Sequence, residues 1–535
     1  MAAETRPRRG RTPATSRGIA GNTAIFSILT GGSRIAGLVR EIVASTYFGT
    51  SGPMSAFTFA FQIPNLVRSL FADAAISAAF VPVFTELLEK GQKRDAYRLA
   101  SAFVVIIVAA LTTVTVLFTI AAPVIMPLLT GDFSPQLDQL TVGLSQVLFP
   151  IVLLLGLNGL FVGILNAHDH FTIPALAPLV WNVVIIGTLV ALKPRFHGPD
   201  ELYAYAIAVV AGTVVQLVMC MPVLGRLGFR FDFRRLNLKD GRVRQVLTLM
   251  FPITLSLGII NFDLVINTIL GSTVSDETPA AIDRAFRLYM LPQGMFSVAV
   301  ATVLFPALSR LATRKDYDGL RALLGTGVRQ IALLLLPAAV CTLVLAEPIT
   351  RLVYQRGAFG TGSTALVSEA LFWFSFSLPF AGINLLLTRT FFSLQRPWLP
   401  TAISAGSLVV NLIVSIVLVG PFGIAGVVVG TAVASAAMAA GQAYYLRREL
   451  SGRLEGYETT RAIARITLAC VLLAGISYGV WYVVDGLLGR SLPAQIISVG
   501  GGLTAGIVVY CRAVLRMRVE EAQQIRALVR ARLGR

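Results

Sequence analysis

Arginine and carboxylate side chains recur inside stretches that are otherwise apolar enough to cross a bilayer. Arg34, Arg40 and Glu41 interrupt the run from Asn22 to Phe48; Arg68 and Asp73 interrupt residues 54–88. Asp263 interrupts 243–272, and Arg284 and Arg287 interrupt 278–312. At 1.5 Å per residue from the outer ends of the runs, Arg40 lies roughly 12 Å deep, Arg34 and Arg68 roughly 21 Å, and Arg287 roughly 14 Å. Each arginine costs about 2.5–3.5 kcal/mol at mid-bilayer on insertion scales. Four facing lipid would cost about 10–14 kcal/mol, comparable with the whole stability of a domain. They must face a hydrated cavity or one another. Pairing with Glu41, Asp73 and Asp263 accounts for part of the charge, but the arginines outnumber those carboxylates. A surplus positive cluster suits an anionic substrate. Arginine suits phosphate in particular, because its planar fork gives two charge-assisted hydrogen bonds.

The elements that must carry these groups are membrane helices. The chain has 535 residues, 55% hydrophobic and only 13% charged, about half the charge of a soluble protein. Runs of about 20 apolar residues recur throughout and predict an all-α polytopic membrane protein with about fourteen transmembrane helices. The predicted spans are 22–48, 54–88, 98–128, 138–166, 171–193, 202–225, 243–272, 278–312, 327–350, 363–395, 399–420, 422–446, 461–485 and 492–516.

Loop charge supplies the orientation. Alternate loops such as "EKGQKRDAYR", "RLGFRFDFRRLNLKDGRVR", "SRLATRKDYDGLR" and "RRELSGRLEGYETTR" share one side with both termini. The opposite side holds "FGTSGPMS", "TGDFSPQLDQ", "GSTVSDETPA" and "GPFG". The first set carries roughly 30 Lys and Arg against roughly 5, so it is expected to be cytoplasmic. "KPRFHGPDE" is a small exception on the outer side. The net charge of +18 is then mostly topological, and a nucleic-acid partner is not expected.

The sequence also echoes itself. The spacing from Pro150 to Asn182 equals that from Pro379 to Asn411, and "FVPVFTEL" (80–87) matches "LFPALSRL" (304–311). These echoes predict two parallel six-helix repeats, with a site between the lobes. The expected organisation is a basic cytoplasmic tail at 1–20, lobes at 21–228 and 229–448, two additional helices at 449–517 and a basic tail at 518–535. Pro64, Pro82, Pro292 and Pro306 fall in matching places of the two lobes, where each removes a helical hydrogen bond and favours a hinge.

Three stretches carry a family resemblance. They are "SRIAGLVRE" in the first helix, "AFTFAFQIPNLVRSLFADAAISAAFVPVF" in the second and "RAFRLYMLPQGMFSVAVATVLFPALSR" in the eighth; "YQRGAF" (354–359) is a fourth, shorter match. Over about residues 20 to 515 the chain resembles the MurJ/MviN lipid II flippase family, within the superfamily that includes MATE multidrug exporters and oligosaccharide-lipid flippases. The resemblance implies outward transport of an undecaprenyl-diphosphate-linked cell-wall precursor, lipid II, by alternating access in a bacterial cytoplasmic membrane. It implies substrate-binding roles for Ser33, Arg34, Arg40, Arg68, Asp73 and Arg287. It also implies membrane lipids and cell-wall synthesis machinery as partners, and a monomer.

Two positions depart from the family pattern. Ser55 stands where an aspartate is common. Asn267 and Ser415 stand where some members place carboxylates that, with Asn411, Val427 and Thr431, hold a cation. Asp263 lies one turn from Asn267. The resemblance thus marks Asp263, Asn267, Asn411, Ser415 and Thr431 as a candidate cation site short of two carboxylates, and it argues against a sodium requirement.

Other chemistry finds little footing. No GxxxxGK[ST] motif supports ATP hydrolysis, so energy is expected from an ion gradient or the membrane potential, without a bound cofactor. Cys220, Cys341, Cys470 and Cys511 lack metal-ligand or CxxC spacing. "HDH" (168–170) falls in a short turn without neighbouring ligands. "MAAETRPRRGRTPATSRG" lacks the short apolar core of a cleaved signal. In "RVEEAQQIRALVRARLGR", Ile525, Leu528 and Val529 share a face among arginines, which fits either an anionic leaflet surface or a solvated tail. The alternatives to lipid II transport are a flippase for another lipid-linked oligosaccharide, a MATE-type cation-coupled drug exporter and a non-transporting scaffold. A drug exporter needs cavity carboxylates, which the arginine excess opposes.

Overall fold

A computed structural model describes residues 16–71, 73–168, 170–232, 240–450 and 456–532. Side chains at 16–28, 68–78, 249, 251–261, 528–529 and 531–532 lie outside the described set. The described residues form helices and turns, with no strand among them. This is what lipid demands, because a helix satisfies its backbone groups within one segment.

In chain order the helices are α1 Ser16–Phe48, α2 Gly52–Phe71, α3 Asp73–Glu89, α4 Lys93–Thr130, α5 Pro135–Leu148, α6 Ile151–Ala167, α7 Thr172–Leu192, α8 Glu201–Arg226 and α9 Gly241–Ser272. They continue as α10 Thr278–Pro292, α11 Val298–Thr313, α12 Tyr317–Val344, α13 Ala346–Tyr354, α14 Thr361–Ser393, α15 Trp398–Glu449, α16 Gly456–Leu488, α17 Leu492–Arg516 and α18 Glu520–Arg532. Ten helical runs among the described residues are long and apolar enough to span a membrane. Large apolar side chains such as Leu117, Ile120 and Leu128 on α4 stand 62–78% exposed, as lipid-facing groups should.

Local chemistry sets several boundaries. The predicted 138–166 helix breaks at Pro150, which caps α6. Pro292 ends α10, and a π-helical turn, Gln293–Ser297, joins it to α11. The 52-residue α15 takes in two predicted spans and is broken at Gly423, whose φ of 55° and ψ of −130° are non-helical. Asp316 starts α12 by accepting the Gly319 N–H at 2.9 Å.

Packing divides the chain into two compact units. The first comprises Met1–Val43, Val67–Ala121 and Gln146–Thr254; the second comprises Ala44–Leu66, Ala122–Ser145 and Leu255–Arg535. The division cuts through α1, α2, α4, α5 and α9.

In the first unit α3, α6, α7 and α8 pack together. Phe80, Phe84 and Phe103 stack in the core, and Trp181 Nε1 on α7 donates to Thr213 Oγ1 on α8 at 3.1 Å. In the second unit α14 is central, contacting α10 to α13 and α15. The α16–α17 hairpin docks on α12 through a core that includes Leu333, Ile466, Leu473, Tyr510 and Val514. Tyr510 Oη donates to the Leu333 carbonyl at 2.7 Å, and Arg351 on α13 pairs with Asp485 on α16. α18 is not a free tail. Val519 and Ala522 join the same core and Glu521 pairs with Arg329 on α12, while Ile525 stays exposed and Leu528 and Val529 lie outside the described side chains.

Candidate functional site

The first cluster sits on α1 in the first unit. Arg34 is exposed, whereas Arg40 is buried at 8% exposure. Arg40 Nη2 donates to Glu41 Oε1 at 2.5 Å, and its guanidinium lies 4.8 Å from the centroid of the Trp181 ring. That combination of a carboxylate and an aromatic face holds a cation away from lipid. Glu41 thus pairs with its neighbour Arg40, and the Arg40 guanidinium also meets Trp181 on α7. Arg40 Nε is buried without a hydrogen-bond partner among the described residues. Ser33 contributes its carbonyl, which accepts from Asn182 Nδ2 at 3.4 Å. Arg68 and Asp73 are on α2 and α3 in this unit's chain, and their side chains lie outside the described residues.

The second cluster sits on α10 in the second unit. Asp283 Oδ2 accepts from Arg287 Nε at 2.8 Å and lies 3.9 Å from Arg284 Nη1. Arg284 is 1% exposed and its Nη2 donates to Met54 Sδ at 3.6 Å. Arg287 is the more open of the two arginines, its side chain 32% exposed. Ser55, at the departure on α2, accepts the Ala280 N–H in the first turn of α10 at 3.1 Å, so the position still supplies an oxygen acceptor.

One backbone and one side-chain hydrogen bond hold the end of α1 against the "YQRGAF" segment and the helix after it. Ala358 N–H donates to the Thr46 carbonyl at 2.8 Å, and Thr50 Oγ1 donates to Ser363 Oγ at 2.7 Å. Gly357 has φ +58°, and a Cβ there would lie 2.4 Å from Thr46 O. Only glycine fits both the left-handed turn and the approach. Tyr354 and Phe359 bracket the turn, fully buried with ring centroids 5.5 Å apart.

The third cluster is a polar ring between α9 and the two halves of α15. Asn411 Nδ2 donates to Asp263 Oδ1 at 2.5 Å and to Asn267 Oδ1 at 3.2 Å. Asn267 Nδ2 donates to Thr431 Oγ1 at 2.7 Å. Ser415 Oγ contacts Asn411 Oδ1 at 2.9 Å and the Val427 carbonyl at 3.0 Å.

Comparison with known proteins adds the decisive observation. The family model described as "Lipid II flippase MurJ" matches residues 44–495. The chain belongs to that family. Among curated relatives, "Lipid II flippase MurJ" of Burkholderia cenocepacia is 32% identical over 401 residues, 74% of this chain and 77% of its own length. "Probable lipid II flippase MurJ" of Rhizobium meliloti is 30% identical over 413 residues, 75% of this chain and 76% of its own. The solved structure "Lipid II flippase MurJ, inward closed conformation" matches with a TM-score of 0.76 at 23% identity, covering 92% of this chain and 99% of that one. An inward-facing multidrug resistance MATE family transporter matches with a TM-score of 0.62 at 14% identity, covering 80% of this chain and 94% of that one. These likenesses show that the chain shares the all-helical fold of both structures.

Within this family the polar ring can be tested as a cation site. A hard cation needs several oxygen ligands aimed at one point. Here Asp263, Asn267 and Thr431 each accept a hydrogen bond from another ring member, and the single hydroxyl proton of Ser415 serves either Asn411 Oδ1 or the Val427 carbonyl. Asn411 aims its amide N–H groups at Asp263 and Asn267, and Asp263 is the one carboxylate among these ring members, whereas charge count tunes how tightly oxygen ligands hold a hard cation.

Two partners of the arginines were not assigned from the sequence. Asp283 stands four residues before Arg287, a helical ion-pair spacing visible in "DRAFR". Trp181 was visible only as the neighbour of a repeated asparagine, and nothing in the sequence aimed it at Arg40. The two asparagines of the repeat both bridge to an earlier helix. Asn182 reaches Ser33 on α1, and Asn411 reaches Asp263 and Asn267 on α9.

Proposed function

We propose that the chain carries lipid II from the inner to the outer leaflet of the bacterial cytoplasmic membrane by alternating access, with both termini cytoplasmic. The family match over residues 44–495 carries this reading, and guanidinium groups on apolar helices give it chemistry. Arg34, Arg40, Arg68 and Arg287 grip the diphosphate, with Ser33 and Asp73 beside them. A diphosphate offers several anionic oxygens, and each arginine fork can make two charge-assisted bonds to them. In the state described, Glu41 and Trp181 hold Arg40. Phosphate oxygens compete with Glu41 for the same donors, and the buried Arg40 Nε is available to them. Energy comes from an ion gradient or the membrane potential, and the single carboxylate of the ring around Asn411, Asp263, favours the potential over bound sodium. The protein acts as a monomer among membrane lipids and meets the cell-wall synthesis machinery at the membrane.

The test is rescue of a flippase-depleted bacterium. The unaltered chain restores growth, and Arg68→Ala does not, although its membrane insertion is normal. Removing a mid-bilayer charge favours insertion, so a loss must come from the site. Growth with Arg68→Ala overturns the assignment. Export of a cationic dye by the purified protein, without movement of a diphosphate lipid, overturns the function.

A further inference from the structure

At one end of the second unit, α12, α16 and the turn from α17 to α18 enclose a cavity of about 200 Å³. Its floor is ordered: Arg329, 7% exposed, pairs with Glu521 at 2% exposure, donates to Thr326 Oγ1 at 3.1 Å and lies 3.9 Å from Glu458. Its wall carries Arg461, Arg465 and Arg518. The guanidinium groups of these three have no hydrogen-bond or ion-pair partner among the described residues. Glu458 and Glu520 also line the cavity, and Glu521 is engaged by Arg329. Three unengaged cations therefore face two carboxylates.

The surface beyond the cavity is of the opposite kind. Arg461, Arg465, Leu468 and Leu472 follow at helical spacing along one face of α16, with Leu468 and Leu472 exposed at 59% and 48%. Tyr457, 79% exposed, lies at the polar end of that face. The order is an interfacial aromatic ring, then cations, then an apolar wall. This matches the order of a phospholipid from headgroup to acyl chain. A free phosphate would use only the arginines and would leave the contiguous apolar wall without a role.

We propose that this cavity binds the phosphate of an anionic phospholipid, with an acyl chain lying along Leu468 and Leu472. The inference is separate from the transport reading and does not depend on it. The site anchors the α16–α17 hairpin and α18 to the leaflet on which the basic loops lie.

The full-length protein in neutral detergent is titrated with phosphatidylglycerol, with phosphatidylcholine, or with glycerol 3-phosphate, and bound lipid is followed by thermal midpoint and by native mass spectrometry. Phosphatidylglycerol raises the midpoint saturably and remains bound. The Arg461→Gln, Arg465→Gln double variant needs at least tenfold more lipid for the same rise, as expected for lost charge-assisted bonds. Glu458→Gln, which removes a negative group from the rim, needs several-fold less and serves as the test should the double variant fail to fold. An equal response to phosphatidylcholine overturns the proposal, as does a double variant that binds like the unaltered protein. An unchanged or weakened response of Glu458→Gln also overturns it. Glycerol 3-phosphate matching phosphatidylglycerol assigns the cavity to a free phosphate and overturns the lipid.

Discussion

Gly357→Ala tests whether the contact at the end of α1 governs a conformational equilibrium. The left-handed backbone at φ +58° costs a residue with a Cβ about 1–2 kcal/mol. A Cβ 2.4 Å from Thr46 O also forces apart the Ala358–Thr46 hydrogen bond, worth about 0.5–1.5 kcal/mol. Together these disfavour the closed contact by about 1.5–3.5 kcal/mol, or roughly 10- to 400-fold in population. Thr50 and Ser363, whose hydroxyls lie 2.7 Å apart, provide the reporter. In a chain lacking its four native cysteines, Thr50→Cys and Ser363→Cys form a disulfide under mild oxidation. Adding Gly357→Ala slows cross-linking at least tenfold. Gly360→Ala leaves the rate unchanged, because its φ is −84° and a Cβ there meets nothing within 4 Å. Oxidising the cysteine pair stops transport, and reduction restores it. Cross-linking as fast in Gly357→Ala as in its parent refutes the reasoning.

Replacing sodium with potassium in purified vesicles leaves transport unchanged, because the ring around Asn411 offers one carboxylate, Asp263, to a hard cation; a strict sodium requirement contradicts this. Arg→Lys at Arg34, Arg68 or Arg287 weakens binding of a diphosphate-linked lipid roughly ten- to hundredfold, the loss of a charge-assisted bond worth about 1.5–3 kcal/mol. Binding equal to the unaltered chain would reduce the arginines to a diffuse positive potential. Trp181→Leu lowers stability by about 1–3 kcal/mol through its contacts with Arg40 and Thr213. Arg40→Gln then adds less than it does alone, whereas strict additivity would show that the ring and guanidinium do not interact. A cysteine at Ile120, 73% exposed on α4, resists charged thiol reagents that modify one at Ser33; equal modification removes the lipid-facing assignment.

What the sequence made legible was chiefly one-dimensional. Apolar runs located the helices because backbone satisfaction in lipid leaves few other solutions. Arginines in those runs stood out because their cost there is large. The equal spacing of Asn182 and Asn411 carried a genuine structural signal, since both reach across to an earlier helix. Partners were less legible. Glu41 could serve Arg34 or Arg40 by spacing, and the position of Trp181 in space decides between them. Pro150 and Pro292 both signalled a break, but one produced a new helix cap and the other a π-helical turn, a choice set by packing. The docking of α18 depended on a buried arginine far away in the chain, so its amphipathic pattern alone left two outcomes open.

The pairing of Arg329 with Glu521 has a consequence for biogenesis. The two residues are 192 positions apart. At about 5–20 residues per second, the ribosome delivers Glu521 about 10–40 s after Arg329. Throughout that interval the α12 surface that will receive α16, α17 and α18 must be covered by lipid or by an insertion factor. Until Glu521 arrives, the Arg329 guanidinium lacks this carboxylate, so the docking of α18 is what brings the buried charge its partner.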